Sequence, residues 1–277
     1  MDYKEEIIEN VSDYLIWVKE INNVESEEVL SFRHDVGYYR GQACKEWELK
    51  PSVFRGSPYL DENSLLKKAT LKLWNEVSSL EHYLGKMIFF QHYGLSTRLL
   101  DVTFNPLIAL YIACCDEFSC DGAVYFGYHI NDQNTRIAEL TANYVFENDV
   151  QEIATGFQHF AEDKRVEIND FTRPLFILPP INNPRIEAQN GAFVMAPLFE
   201  KVIDNDTAKS YRKGLDESGF FDERRAIIKA NVKESVLHEL SVLGIDCGTI
   251  YKGIEEKLKA IVAEEKWMSN KFKNVQL

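Results

Sequence analysis

The chain has 277 residues, 45% hydrophobic and 27% charged, enough to bury one large core or one core with helical additions. Its 31 Lys and Arg against 44 Asp and Glu leave a formal net charge of −13, which argues against indiscriminate binding to nucleic acid or anionic membranes, a local basic groove excepted. No apolar run reaches the roughly 18 residues of a membrane-spanning helix, and the acidic start MDYKEEIIEN has no signal-peptide pattern, so a cytoplasmic protein is expected.

Residues 3 to 21 read as a helix, because Ile7, Val11, Tyr14, Leu15, Val18 and Ile21 recur three or four apart among Glu, Lys and Asp. VGYYRGQ, 36 to 42, suits a strand whose end opens at Arg-Gly into a turn, and WELKPSVFRGSP then turns at its prolines and glycine. From Asp61 to about Gly85, the spacing of Leu65, Leu66, Ala69, Leu73, Trp74, Val77 and Leu80 predicts a helix capped by Asp61 or Asn63. A loop around QHYGLST follows. RLLDV reads as a short strand, Asn105 as a cap and Pro106 as the opening of the apolar helix PLIALYIACCDEF.

GAVYFGYHI, 122 to 130, carries the clearest strand signal, and residues 132 to 170 read as helical and acidic. PLFILPP and GAFVMAP are predicted strands on either side of INNPRIEAQN, and RRAIIKANV is another. The last 45 or so residues return to helix, with Val236, Leu237, Leu240 and Leu243 on one stripe and a Lys/Glu-rich segment after Gly253. The five cysteines include the adjacent pair Cys114 and Cys115 and form no C-x-x-C, so they are expected to be reduced, mostly buried thiols. The element order is α+β, with residues 1–30 a helical addition to a main domain, 31–277, that ends in helices.

Three polar stretches sit at strand ends or in loops: YYRGQ (38 to 42), QHYGLSTRLLDVT (91 to 103) and RIEAQNGAF (185 to 193). Pockets draw on segments remote in sequence that meet in space. Arg40 offers a planar fork of donors to a phosphate, and Gly41 allows a flat ring or backbone to come close. The competing reading is an internal pair between Arg40 and a carboxylate, Asp101 foremost. His92 suits either acid–base chemistry or a structural bond to a carbonyl or an acid. Asp101 with Thr103 resembles a turn or cap pair. Glu187 and Gln189 share one side of the chain if it is extended, where a carboxylate could polarise a hydroxyl and an amide could only position one; a solvated loop is the alternative. H-x-x-x-H, G-x-G-x-x-G, P-loop and G-x-S-x-G patterns are missing, and no metal site is expected.

Together YYRGQ, LKPSVFR, QHYGLSTRLLDVTFNPLIALYIA and RIEAQNGAF resemble the FRG domain family, named for a Phe/Tyr-Arg-Gly motif and bacterial and viral in distribution. The resemblance runs from about residue 35 to 250 and takes in LHELSVLGIDCGTIY, which makes 31–277 an FRG domain with C-terminal helices. Departures are Tyr39 at the Phe position, Ser96 and Val102 where the family often has Pro and Trp, and YKGIEEK in place of a Pro-Asp-rich segment.

A weaker resemblance links the Tyr-Arg-Gly strand, the Thr-containing strand before ALYIA and a late Glu/Gln strand to the NAD-binding core of ADP-ribosyltransferases. It implies a mixed, mainly antiparallel split β-sheet core. It further implies NAD as substrate, held by Tyr39, Arg40, Gly41, Gln42, Tyr93, Thr97, Gly191 and Phe193, with Arg40 on a phosphate or ribose and Gly41 leaving room for the nicotinamide amide. Arg40, His92, Glu187 and Gln189 would carry the chemistry, while Arg98 and Asp101 as an ion pair, Thr103 and Arg185 would support it. The activity implied is cleavage of the nicotinamide bond with transfer of ADP-ribose to a macromolecular acceptor or to water, as in a toxin or antiviral effector. Should Gln189 occupy the late position, the carboxylate is missing, which favours a non-catalytic module binding a nucleotide or a regulatory protein. A hydrolase or nuclease using His92 and Asp101 is the third reading.

Overall fold

Asn10 decides where the first helix begins: its side chain accepts the amide of Asp13 at 2.9 Å, which caps a helix at Val11. The residues before it, Lys4–Ile8, form a strand instead, so the expected helix over 3 to 21 is shortened from its start. The chain is seen in a computed structural model that describes residues 3–23, 36–55, 61–129, 135–148, 153–179, 184–204 and 207–251.

In chain order the elements are β1 (Lys4–Ile8), α1 (Val11–Asn23), β2 (Val36–Gln42), α2 (Glu62–Lys72), α3 (Trp74–Val77), α4 (Tyr83–His92), β3 (Leu99–Thr103) and α5 (Pro106–Cys114). Then come β4 (Gly122–His129), α6 (Thr135–Glu147), β5 (Ile153–Thr155), α7 (Phe157–Lys164), β6 (Leu175–Ile177), α8 (Pro184–Ala188) and β7 (Gly191–Met195). The described chain closes with β8 (Phe199–Asp204), β9 (Thr207–Ser210), β10 (Arg224–Ile228), α9 (Lys233–Val242) and α10 (Cys247–Ile250).

The fold is α+β. Seven strands form a mixed sheet in the order β1-β10-β4-β2-β3-β7-β6, and β5-β9-β8 form a small antiparallel sheet. Within the large sheet β1 runs parallel to β10 and the other pairings are antiparallel. The helix expected over Asp61 to Gly85 is interrupted at Leu73, beyond which Trp74 is exposed; Asp61 caps α2 as expected, and Gly85 belongs to α4. Gln91 and His92, expected in a loop, are the last residues of α4. Asn105 accepts the amide of Leu107 and Pro106 opens α5, as their residue types predict. The stretch 132 to 170 holds α6 and α7 with β5 between them, and the segment after Gly253 lies outside the described residues.

One face of the large sheet carries two separate helical layers. Tyr39, Val124, Phe126, Ala226 and Ile228 pack on α1, α5 and α9, whereas Leu99, Phe193 and Met195 pack on α4 and α6. The opposite face, including Tyr38, Leu100, Val102, Tyr125 and Val194, is covered by loop residues such as Leu49, Leu215 and Phe221. The two helical layers part where β2 meets β3. There the ladder is reduced to the single pair Tyr39–Thr103, although β2 is joined to β4 over its whole length and β3 to β7 from Leu99 to Thr103.

Candidate functional site

α5 lies against β2 and β4 at small residues. A Cβ on Gly41 would stand 2.0 Å from the Ala109 carbonyl oxygen, and one on Gly122 would stand 2.2 Å from that of Ala113. Only glycine tolerates such an approach. The space next to Gly41 that the resemblance assigned to a nicotinamide amide is therefore taken by the helix backbone, and the first reason for Gly41 is packing.

Beyond Tyr39–Thr103 the two strands separate, and a cavity of about 290 Å³ fills the gap. The alternation of strand side chains puts Gly41, Asp101 and Thr103 on the helical face, and Arg40 and Gln42 on the other. The cavity thus reaches through the opened sheet. Its walls combine an apolar part, with Ile108, Ile112 and Tyr251, and a polar part, with Arg40, Arg55, Asp101 and Gln189.

Arg40 is half-buried; its Nη1 donates to the backbone carbonyl of Asp101 at 2.6 Å across the gap, and its Nε donates to Gln42 Oε1 at 3.4 Å. Burial pushes the guanidinium down to about 10, with Asp101 opposing the shift and Arg55 adding to it. It is still protonated at neutral pH. Among the described residues no carboxylate lies within ion-pair distance of it, so the expected Arg40–Asp101 carboxylate pair does not form. Asp101 instead accepts from Gln91 Nε2 at 3.0 Å on its side chain. Gln42 is buried and donates to the Trp47 carbonyl at 2.9 Å. Thr103 donates to the backbone carbonyl of Gln189 at 2.6 Å and accepts the amide of Asn105 at 3.0 Å, which ties the third motif to β3. Burial pushes the Cys115 thiol up to about 11, which removes it as a nucleophile near neutral pH.

Tyr39, Arg40, Gly41, Gln42, Asp101, Thr103 and Gln189 are thus brought together around one cavity from three remote segments. The other predicted site residues are not in its walls. His92 ends α4 with its ring edge-on to Tyr93, which is 69% exposed. Thr97 is buried and donates to Gln91 Oε1 at 2.8 Å. Phe193 is core beneath α4 and α6, and Gly191 opens β7 opposite Thr103. Arg98 does not pair with Asp101. It is buried with Glu62, to which Nε and Nη2 donate at 3.1 and 2.7 Å. Glu187 is exposed on α8 and Gln189 follows that helix, so the two do not share a strand side. Arg185 is also in α8, with its side chain outside the described residues.

Sequence reasoning missed Trp47, Arg55, Asp116 and Tyr251 as wall residues. Arg55 closes LKPSVFR, a stretch already marked as distinctive, and that was the available signal. Two of the five cysteines depart from expectation, since Cys44 and Cys120 form a disulfide, whereas Cys114, Cys115 and Cys247 are free and Cys114 is buried.

The FRG domain model matches residues 36–121, a stretch that contains β2, LKPSVFR, β3 and α5 and ends before Gln189. No curated protein matches the chain, and no solved structure does.

Proposed function

We propose that this FRG domain, 36–121, supplies most of a binding cleft for the anionic part of a nucleotide-class ligand, with NAD the first candidate, and that it acts by binding. The observation that carries this reading is Arg40, a protonated guanidinium in the gap between β2 and β3 with donors left over after its bonds to Asp101 and Gln42. A phosphate accepts from such a fork in paired, charge-assisted bonds. Arg55 adds a second positive charge to the same wall. The apolar part at Ile108, Ile112 and Tyr251 suits the flat base or sugar edge that accompanies the phosphate.

Size narrows the ligand. At about 290 Å³ the cavity is at the lower end of ordinary ligand pockets, about 300–1,000 Å³, and suits one nucleotide unit of NAD rather than the whole molecule. Glycosidic cleavage with transfer of ADP-ribose to a macromolecule, as in a toxin or antiviral effector, has less support. His92 and Glu187 are outside the walls, and Gln189 cannot exchange protons. A regulatory protein reading the loaded cleft is the partner this mode of action calls for.

Calorimetric titration with NAD and with a nucleoside monophosphate, run beside an assay for released nicotinamide, tests the reading. Saturable binding without nicotinamide is expected, and Arg40→Ala should weaken it about tenfold to a hundredfold while the unfolding midpoint changes little. An Arg40→Ala protein that binds as tightly as the parent overturns the proposal. Steady nicotinamide release would replace it with the catalytic reading.

A further inference from the structure

Ala43 and Trp47 line one lip of the cleft, and Cys115 and Asp116 line the other. Cys44 lies on the first of these segments and Cys120 closes the loop begun by the second, and the disulfide between them joins positions 76 residues apart with a Cα–Cα distance of 5.2 Å. We infer that Cys44 and Cys120 form a thiol–disulfide switch that holds the two lips together; its effect on ligand rests on reading the cleft as a binding site.

Other bonds already align the two segments. Lys45 donates its amide to the Asp121 carbonyl at 2.8 Å, and the buried Lys233 ammonium donates to the carbonyls of Ala43 at 2.7 Å and of Asp116 and Glu117 at 3.0 Å each. The thiols of the reduced protein are therefore held near each other, and the bridge adds restraint to a mouth that is already formed. A graded effect follows.

Both cysteines are half-buried and open to exchange with a small disulfide such as oxidised glutathione. One protein thiolate attacks that disulfide and releases a glutathione thiolate, and the second cysteine then attacks the mixed disulfide and releases the other. The protein loses two protons and two electrons, and the reagent takes them up as two thiols. Glu46 Oε2 lies 3.3 Å from each sulfur. A carboxylate there disfavours the thiolate that reduction must produce, which slows reopening of a bridge once made.

The test uses the full chain equilibrated in graded mixtures of reduced and oxidised glutathione, alkylated and digested. A cross-linked Cys44–Cys120 peptide is expected, with Cys114, Cys115 and Cys247 alkylated. Hydrogen exchange over residues 40–47 and 115–121 should be slower in the oxidised form, and NAD should bind that form about fivefold more tightly or better. Glu46→Gln should speed reduction. Cys44→Ser should exchange and bind like the reduced form, and the reduced wild-type protein serves in its place where that variant does not fold. Absence of the cross-link at every ratio, one equivalent of zinc held by the thiols in its place, or a cross-link that leaves exchange unchanged overturns the switch. If exchange responds while neither form binds NAD, the nucleotide reading of the cleft falls and the switch stands.

Discussion

β3 has an arginine at its start and another reaching over its middle, and the two have opposite fates. Arg98, just before the strand, is 1% exposed and is met on several sides: Glu62 accepts from its backbone amide, Nε and Nη2, and Pro197 accepts from Nη1 at 3.0 Å. Arg40 reaches Asp101 from the neighbouring strand with one backbone carbonyl and one amide oxygen as its partners. An arginine whose fork is filled by a carboxylate is part of the scaffold. One held in place with donors remaining is equipped for a visitor, and the parting of β2 from β3 gives that visitor room.

Breaking the filled fork should produce the largest effect. Arg98→Ala leaves Glu62, 6% exposed, as an uncompensated buried charge, and such losses cost about 3–5 kcal/mol. Urea unfolding at neutral pH reads it. A loss under about 1 kcal/mol would mean that Glu62 rehydrates freely and that the contrast between the two arginines is overdrawn. Gly41→Ala comes next, because its new Cβ meets helix backbone at 2.0 Å and α5 must move; overpacking of this kind costs about 1–3 kcal/mol, and the upper end is expected here. A Gly41→Ala protein with unchanged stability would return Gly41 to a ligand-driven role.

These two positions also show what the sequence can carry. Spacing and residue type located β2, β3, β4, β6, β7, β10 and α5 because each is a short apolar run with turn or cap residues beside it. They mislocated the first helix because Ile7 fits a helical stripe as well as it fits an edge strand, and only the pairing of β1 with β10 decides between them. They merged α2 and α3 with the start of α4 because the break at Leu73 has no Pro or Gly to mark it. Within the cleft, Arg40 and Gln189 were legible as polar residues at element ends. The partner of Arg98 was not, since Glu62 is 36 residues away in sequence and looks like any first-turn acid. His92 and Thr97 were drawn into the site by neighbourhood in the chain, although neither lines the cavity: His92 ends α4 and Thr97 is held by Gln91.

Arg40→Ala should come third in free energy but change ligand affinity most. A hydrogen bond to a charged group contributes about 1.5–3 kcal/mol, so nucleotide affinity should fall about tenfold to a hundredfold while folding stability changes by less than about 1.5 kcal/mol. Arg55→Ala, at a more exposed wall position, should cost less affinity. Equal losses for the two would locate the phosphate between them instead of at Arg40.

Arg225 supplies the intermediate case and the smallest effect. Its fork meets Glu5 on β1 and the Tyr125 hydroxyl at 2.9 Å, yet its Nε is buried without a partner among the described residues. The hydrogen bond from Arg225 holds the Glu5 carboxyl below the ordinary carboxylate value, against a smaller desolvation cost. A carboxyl whose folded pKa is depressed stabilises the fold above its unfolded value and loses that contribution as pH falls through the folded one. With Glu5 about a third exposed, at 32%, the pair should contribute no more than about 1 kcal/mol at neutral pH. The stability difference between wild type and Glu5→Gln should therefore be small at pH 7 and vanish as pH drops through and below about 4.5, the ordinary value. Should it persist at lower pH, Glu5 acts through hydrogen bonding and packing and not through its charge, and the ion-pair account of Arg225 fails.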